Sequence, residues 1–150
     1  MSKAEELAQE IVRRFLTLLR YQHLRGHQLR KAYGISGKQL AVLRYLMEAG
    51  PRSVHEISRY LYVRDATTSP LLERMEQAGY VTRRRCDKDS RKVLVEPTDV
   101  GRELAARAPM SVIGLMRTRL PQLSPEDLEQ IDAALKKLSD LVEVDESLID

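Results

Sequence analysis

Cysteine, phenylalanine and tryptophan are nearly absent from this chain. Its 150 residues include one cysteine (Cys86), one phenylalanine (Phe15) and no tryptophan. A single cysteine excludes a disulfide framework and fits a reducing compartment. With no tryptophan and one phenylalanine, the core must be mostly aliphatic.

Long apolar runs are missing as well. No stretch approaches the roughly 20 apolar residues that a membrane-spanning helix needs, and residues 1–6 lack the apolar region of a signal peptide. We therefore expect a cytoplasmic protein that does not contact membranes. With 43% hydrophobic and 31% charged side chains, the chain can bury the core of one compact domain.

Catalytic motifs are not found either. The sequence has no nucleophile elbow, phosphate-binding glycine loop, zinc-protease pair or matched carboxylates, so it predicts neither an enzyme nor a bound cofactor. His23 and His27 are four residues apart, a spacing that can hold zinc. No third ligand is visible, and a solvated or core position is the simpler interpretation, so no metal is expected.

Two short helices joined by a few residues are predicted between Ser53 and Gly79. Ser53 and Glu56 match a capping box, which begins the first helix. The second helix opens with small residues, Thr67, Thr68, Ser69 and Pro70. Its apolar face is Leu71, Leu72 and Met75, and Gly79 ends it. This layout is a helix-turn-helix, whose second helix enters the DNA major groove N-terminus first.

A basic hairpin follows directly. Residues 80–85 and 91–96 are β-branched and basic runs around a polar break. Residues 81–92 carry six cations against two anions, a net charge of +4. Such crowded cations repel one another unless phosphates neutralise them, and release of the phosphates' counterions drives binding. A solvated charged surface is the alternative for the hairpin alone, but its place after a helix-turn-helix favours a DNA-binding wing.

Helices at both ends of the chain carry apolar stripes. The N-terminal stripe is Leu7, Ile11, Phe15, Leu18 and Leu19. A middle helix after Gly101 carries Val112, Leu115, Met116 and Leu120. The last helix begins at Ser124 and Pro125. Its stripe is Leu128, Ile131, Leu135, Leu138 and Val142. Such stripes indicate either ordinary core or a subunit interface. Residues 121–150 have a net charge of −7, so an acidic end opposes the basic wing.

These motifs together resemble transcription factors of the multiple antibiotic resistance regulator (MarR) family over nearly the whole chain. Residues 68–81 are similar to the family's recognition helix and its exit into the wing. Asp89-Ser90-Arg91 resembles the family's wing motif, and Thr98 to Gly101 its entry into the next helix. Pro97 stands where the family usually has leucine and ends the strand's hydrogen bonding, because it lacks an amide proton.

The resemblance implies a mainly α fold with a small β-wing (α+β): a winged helix-turn-helix with N- and C-terminal dimerisation helices. Residues 1–150 are then a single domain, in which 35–98 bind DNA and 1–30 and 99–145 hold two chains together. The expected function is a sequence-specific regulator of transcription, a repressor that binds double-stranded DNA as a homodimer on a pseudo-palindromic operator. A winged-helix protein used for protein contact or nonspecific DNA coating is the alternative.

Individual DNA contacts follow from these motifs. Hydroxyls of Thr67, Thr68 and Ser69 can meet base edges or phosphates, and the ring of Pro70 can touch a thymine methyl. Capping of the helix by Asp65, Thr67 or Thr68 is the open alternative.

The resemblance supplies further candidates for DNA contacts. It implies that Arg74 anchors the recognition helix to the DNA backbone. It also implies that Arg91 reaches the minor groove with Asp89 positioning it, although a purely structural Asp–Arg pair is the alternative. The remaining candidate contacts are Ser53, Arg84 and Lys92.

Control by a small molecule is a second implication of the resemblance. Family members bind small, often phenolic anions between the first helices and the winged part. The candidate lining residues here are Tyr21, Arg25, Arg30 and Tyr45. The family's organic-hydroperoxide sensors instead use a reactive cysteine in the first helix, but this chain has Phe15 to Leu19 there. Cys86 lies among cations that favour its thiolate, so redox sensing at the wing stays open.

Overall fold

The computed structural model describes residues 1–149. Among them the chain forms seven α-helices and three short β-strands, which confirms the predicted mainly α fold with a small β-wing. In chain order the elements are α1 (Lys3–Tyr33), α2 (Gly37–Ala49), β1 (Arg52–Ser53), α3 (Val54–Leu61), α4 (Asp65–Gln77), β2 (Val81–Arg85), β3 (Val93–Pro97), α5 (Asp99–Arg107), α6 (Val112–Arg119) and α7 (Pro125–Leu141). Two single 3-10 turns occupy Leu120–Gln122 and Glu146–Leu148.

Side-chain caps begin the helices where the sequence predicted them. The Ser53 hydroxyl accepts the amide of Glu56 at 3.2 Å, and the Glu56 carboxylate accepts the amide of Ser53 at 3.2 Å. Ser124 accepts the amide of Asp127 at 3.1 Å, and Pro125 is the first residue of α7. These caps pair amide protons that have no partner within the helix.

The start of α4 differs from the prediction. α4 begins at Asp65, and the residue before it, Arg64, makes no side-chain capping hydrogen bond. Asp65, Thr67 and Thr68 lie inside the helix, which rules out the alternative in which one of them caps it. The end of α4 is as predicted, because Gly79 follows it with a left-handed φ of 81°.

The predicted middle helix is two helices. Ala108 has extended backbone, with φ −70° and ψ 140°, because the following Pro109 disfavours helical geometry in the residue before it. Ser111 then begins α6 by accepting the amide of Gly114 at 3.0 Å. The break separates α5, which packs on the core, from α6.

The wing sheet has three strands rather than the predicted two. β3 lies between β1 and β2 and is antiparallel to both. Val81 pairs with Pro97 and Arg85 with Val93, so the hairpin is in register throughout. Pro97 is the last residue of β3, where its missing amide proton ends the ladder.

An aliphatic core joins α2, α3, α4, α5 and the sheet. The largest fully buried side chains within the described part of the chain are Ile35, Leu40, Leu43, Leu46, Ile57, Leu72, Met75, Val42, Val81, Val95 and Thr68. Gly101 lets α5 approach this core closely, because a Cβ at that position would lie 2.2 Å from the carbonyl oxygen of Tyr80. The core therefore fixes α4 against the wing and fixes both against α5.

The helices at the two ends of the chain leave their apolar stripes uncovered. The N-terminal stripe on α1 is between 47% and 62% exposed at each of its residues. On α7, Ile131 is 40% exposed and Leu135 is 49% exposed. A single chain thus has nothing to cover these faces. Within residues 1–149, no helix combines the length and apolarity needed to cross a membrane.

Candidate nucleic-acid interface

The packing of α4 decides which of its residues face outward. Successive helical residues are about 100° apart, and the core takes up the side that carries Leu71, Leu72 and Met75. The opposite side is exposed and consists of Ala66, Ser69, Pro70, Glu73 and Gln77. We call this set the outward face of α4. It contains the predicted Ser69 and Pro70, and it adds three residues that the sequence prediction missed.

Thr68 was wrongly predicted to contact DNA. Its side chain is 0% exposed, and its hydroxyl accepts a hydrogen bond from the Ser58 hydroxyl at 2.7 Å. The Thr68 hydroxyl in turn donates to the carbonyl oxygen of Arg64 at 3.2 Å. This buried pair joins α3 to α4, so Thr68 sets the geometry of the helix-turn-helix. The spacing of three and four residues from Leu71 and Leu72 already indicated this buried side.

Thr67 and Arg74 lie on the flank of α4 rather than on its outward face. Together with Leu71 they form one wall of a cleft beside the helix. Arg74 is exposed there, and its contact with the DNA backbone stays a prediction. Thr67 is half-buried, which places its hydroxyl at the edge of the surface that DNA would meet.

A carboxylate lies at the N-terminus of α4. Asp65 Oδ2 is 3.4 Å from His55 Nδ1, which links the starts of α3 and α4. Hydrogen bonding by Ser58, and then by His55, holds the pKa of the Asp65 carboxyl below its usual value. Asp65 is therefore ionised at neutral pH, and the partial positive charge of the helix N-terminus favours that charge.

Asp89 and Arg91 form the predicted pair at the tip of the wing. Arg91 Nε donates to Asp89 Oδ1 at 3.1 Å, and the amide of Arg91 donates to the same oxygen at 3.1 Å. These bonds, the side-chain bond foremost, hold the pKa of the Asp89 carboxyl below its usual value. The Arg91 side chain is 89% exposed, so the pair is a surface pair. Asp89 thus orients a guanidinium that stays open to solvent.

The other wing cations differ in how far they are paired. Arg84 Nε lies 3.2 Å from Glu96 Oε1, and its side chain is 42% exposed. Arg85 donates to the carbonyl oxygen of Ser90 at 2.7 Å. Lys92 is exposed and makes no side-chain hydrogen bond or ion pair with the described residues. The side chains of Arg84 and Lys92 are thus accessible to DNA, and their contacts with it stay predictions.

Ser53 is committed to the fold. Its hydroxyl accepts the Glu56 amide and lies 3.1 Å from Glu56 Oε1, while its backbone pairs with Leu94 in the sheet. The donor and one of the two acceptor sites of the hydroxyl are therefore used within the chain. Ser53 is half-buried, and its contact with DNA stays a prediction.

The cleft beside α4 has a volume of about 1300 Å³ and lies between α1, α2, α4 and α6. Two of the predicted ligand residues, Arg25 and Arg30, line it, and Arg25 donates to the carbonyl oxygen of Met110 at 3.3 Å. Tyr21 and Tyr45 do not belong to this cleft. Tyr21 is 49% exposed elsewhere on α1, and Tyr45 packs against the core. Of the four predicted ligand-binding residues, the two arginines therefore line the cleft and the two tyrosines do not.

His23, His27 and Cys86 lie apart from these surfaces. Both histidines are exposed on α1, and no group of three or more His, Cys, Asp or Glu within residues 1–149 is placed to hold a metal ion. Cys86 is half-buried at the end of β2, where its amide donates to the carbonyl oxygen of Lys92 at 2.9 Å.

Known proteins are similar to this chain in sequence and in fold. Residues 33–92 match the family model described as MarR family. The organic hydroperoxide resistance transcriptional regulator of Bacillus subtilis (strain 168) is 36% identical over 107 residues, which are 69% of each chain. AbsC, a MarR family transcriptional regulator from Streptomyces coelicolor, is 26% identical with a TM-score of 0.61 over 95% of this chain and 97% of that one. S. aureus MepR, solved as a DNA complex, shares the fold at 23% identity, with a TM-score of 0.61 over 89% of this chain and 97% of MepR.

Proposed function

Because the chain belongs to the MarR family, we propose that it is a homodimeric repressor of transcription in the cytoplasm, which binds a pseudo-palindromic operator and leaves it when a small molecule binds. Each subunit would place the outward face of α4 in the major groove of one half-site. Residues 35–98 would bind DNA, and 1–30 and 99–145 would form the dimer. Membership of this family makes the protein a transcriptional regulator and not an enzyme.

One observation carries the DNA-binding part of the proposal. The outward face of α4 and the basic wing are both exposed and follow one another in the chain. The outward face of α4 carries small, hydroxyl, amide and carboxylate side chains, which can contact base edges. The wing begins at Val81, directly after the turn at Gly79, and carries the net charge of +4 between residues 81 and 92. Phosphate contacts by the wing supply affinity and position, and base contacts by α4 supply preference.

Fluorescence anisotropy with a random pool of duplexes tests this part. Duplexes of about 30 base pairs leave room for two half-sites one helical turn apart. We expect binding that weakens steeply as salt rises, because counterion release drives it. Absence of binding at low salt would contradict the proposal and favour a winged helix used for protein contact.

The homodimer is supported by the uncovered stripes of α1 and α7. Exposed apolar faces of this length on two helices are what a subunit interface requires. In α7, Leu135 lies on the stripe, whereas Ala133 lies on the opposite side of the same helix, since residues two apart differ by about 200°. Both residues are exposed in the single chain.

Sedimentation velocity of two matched variants tests the homodimer. We expect the wild-type protein and Ala133→Glu to sediment as dimers and Leu135→Glu to sediment as a monomer, because burial of an unpaired carboxylate in an interface is costly. A monomeric wild-type protein would contradict the dimer. Dimers of both variants would remove α7 from the interface.

Release by a small molecule is supported by the cleft, which places Arg25 and Arg30 next to residues of the recognition helix. Arginine binds carboxylates in a bidentate way, so 4-hydroxybenzoate is a suitable probe. We expect this probe to raise the melting temperature of the wild-type protein and of Arg20→Met, an exposed arginine of α1 outside the cleft, but not of Arg30→Met. Equal shifts in all three proteins would place the probe outside the cleft.

A further inference from the structure

A column of aromatic rings and one guanidinium connects α6 to the helix-turn-helix. The rings of Tyr45 on α2 and Tyr60 on α3 are stacked, with 4.1 Å between centroids and 7° between planes. The guanidinium carbon of Arg117, on α6, lies 3.8 Å from the Tyr60 ring centroid and 5.7 Å from that of Tyr62. Three helices and the turn after α3 therefore meet at Arg117.

Arg117 also closes the C-terminal end of α3. Its Nη2 donates to the carbonyl oxygen of Tyr60 at 2.6 Å. Tyr60 is in the last turn of α3, where carbonyl groups have no partner within the helix. A cation at this end is favoured by the helix dipole as well. The guanidinium thus combines a charged hydrogen bond with stacking on the ring of the same residue.

The turn that Arg117 braces has an unusual backbone. Tyr62 adopts a left-handed conformation with φ 58°, which residues other than glycine rarely do. The amide of Val63 bonds back to the carbonyl oxygen of Ser58 at 3.1 Å, so the chain reverses sharply there before α4 begins at Asp65. A shift of this turn would rotate or translate the N-terminus of α4, which is the end that meets the groove.

Arg117 is not the most stabilising residue for its position, because one of its donor groups has no partner among the described residues. Its Nε is buried and has no hydrogen-bond partner among the described residues. Leaving a buried donor unpaired costs free energy, and an apolar side chain of similar length would avoid that cost. Arg119, on the same helix, is exposed and makes no hydrogen bond or ion pair with the described residues.

We propose that Arg117 is a positioning residue for DNA recognition, which fixes the turn before α4 relative to α6 and thereby sets the distance between the two recognition helices. The inference rests on the proposed homodimer, because only a dimer has such a distance. α5 and the sheet hold the helix-turn-helix to the rest of its own subunit, whereas Arg117 ties its turn to α6, a helix that packs outside the core.

The test compares Arg117→Met and Arg117→Lys with Arg119→Met on operators of different spacing. The operators carry half-sites identified by selection from a random duplex library. The half-sites stand at their preferred separation, or with one base pair added or removed between them. We expect Arg117→Met to bind the preferred operator about tenfold more weakly, about 1.4 kcal/mol. We also expect its penalty for altered spacing to be at least about threefold smaller than in the wild-type protein. Arg119→Met should match the wild type, and Arg117→Lys, which keeps the charge, should lie between.

A merely structural role would lower the melting temperature without changing the relative affinities for the spacings. An unchanged spacing penalty in both Arg117 variants therefore overturns the proposal. If Arg117→Met fails to fold, Arg117→Lys carries the comparison alone.

Hydrogen–deuterium exchange tests the same residue without DNA. In the Arg117 variants, exchange of the amides of residues 62–65 should become faster, while exchange in β3 stays as in the wild type. Unchanged exchange at 62–65 overturns the inference. A wild-type protein without any spacing preference would instead refute the proposed dimeric operator, and the exchange result would still decide whether Arg117 holds the turn.

Discussion

Replacement of Arg91 by alanine should change how DNA binding depends on salt. Arg91 is 89% exposed at the wing tip and is oriented by Asp89, so its removal should take one cation away from the DNA phosphates at each wing. Each contact contributes about 0.9 to the slope of log K against log salt. Since a dimer has two wings, the slope should fall by about 1.8. The fold loss of affinity caused by Arg91→Ala should therefore be about twelvefold smaller at about 200 mM salt than at about 50 mM salt.

The measurement is a series of anisotropy titrations across that salt range on one duplex. Arg107→Ala is the matched control, because Arg107 is an exposed cation at the end of α5 that lies away from the wing. We expect the control to keep the wild-type slope. Equal slopes for Arg91→Ala and the wild-type protein would show that Arg91 touches no phosphate, and the geometry assigned to the wing would be wrong.

Other predictions concern the fold and the interface. Gly101→Ala should lower the free energy of unfolding by about 2 kcal/mol or more through overpacking. Gly26→Ala is the control and should not lower it, because no atom lies within 4 Å of the new Cβ. Equal urea midpoints for the two variants would contradict this. Thr68→Val should lower the free energy of unfolding by about 0.5 to 1.5 kcal/mol by removing the hydrogen bonds of the Thr68 hydroxyl. Thr68→Ser should keep most of that stability, and a valine variant as stable as the wild type would refute the pairing. Ser69→Ala should change the preferred bases in a binding selection but not the salt slope; an unchanged motif would exclude Ser69 from base contact. Because the pKa of the Asp89 carboxyl is lowered in the fold, its ion pair should be complete above the ordinary pKa of aspartate and be lost only as the pH falls through the lower folded value. An NMR titration in which this carboxyl had a pKa at or above the ordinary value of aspartate would contradict that.

Local motifs made much of the fold predictable from sequence. The capping box at Ser53, the serine and proline that begin α7, and Gly79 after α4 act through neighbouring backbone groups, so spacing alone identifies them. The wing was predictable for a similar reason, because its two long strands are joined by a short polar segment.

Features that depend on distant residues were not predictable. β1 has two residues, too few for an alternating pattern, and forms only because β3 offers it an edge. Arg64 begins α4 without a side-chain cap, so no capping motif marks that boundary. The pairing of Tyr45 with Tyr60 and Arg117 joins separate helices and leaves no periodicity in the sequence.

The hydroxyl residues at the start of α4 show why site prediction was harder than fold prediction. Threonine and serine can cap a helix, contact a base or hydrogen-bond inside a core, and composition does not separate these roles. The rotation of α4 about its axis separates them, because it buries Thr68, exposes Ser69 and places Thr67 at the edge. That rotation is set by packing of the apolar side chains against α3 and the sheet.

Selection from a random duplex library most directly tests whether the protein is a dimeric, sequence-specific regulator. The purified protein is mixed with the library at physiological salt, and the duplexes that stay bound are sequenced. The proposed function predicts enrichment of a two-fold symmetric site with its half-sites about one helical turn apart. Retained DNA without an enriched motif would contradict that function and favour nonspecific coating of DNA.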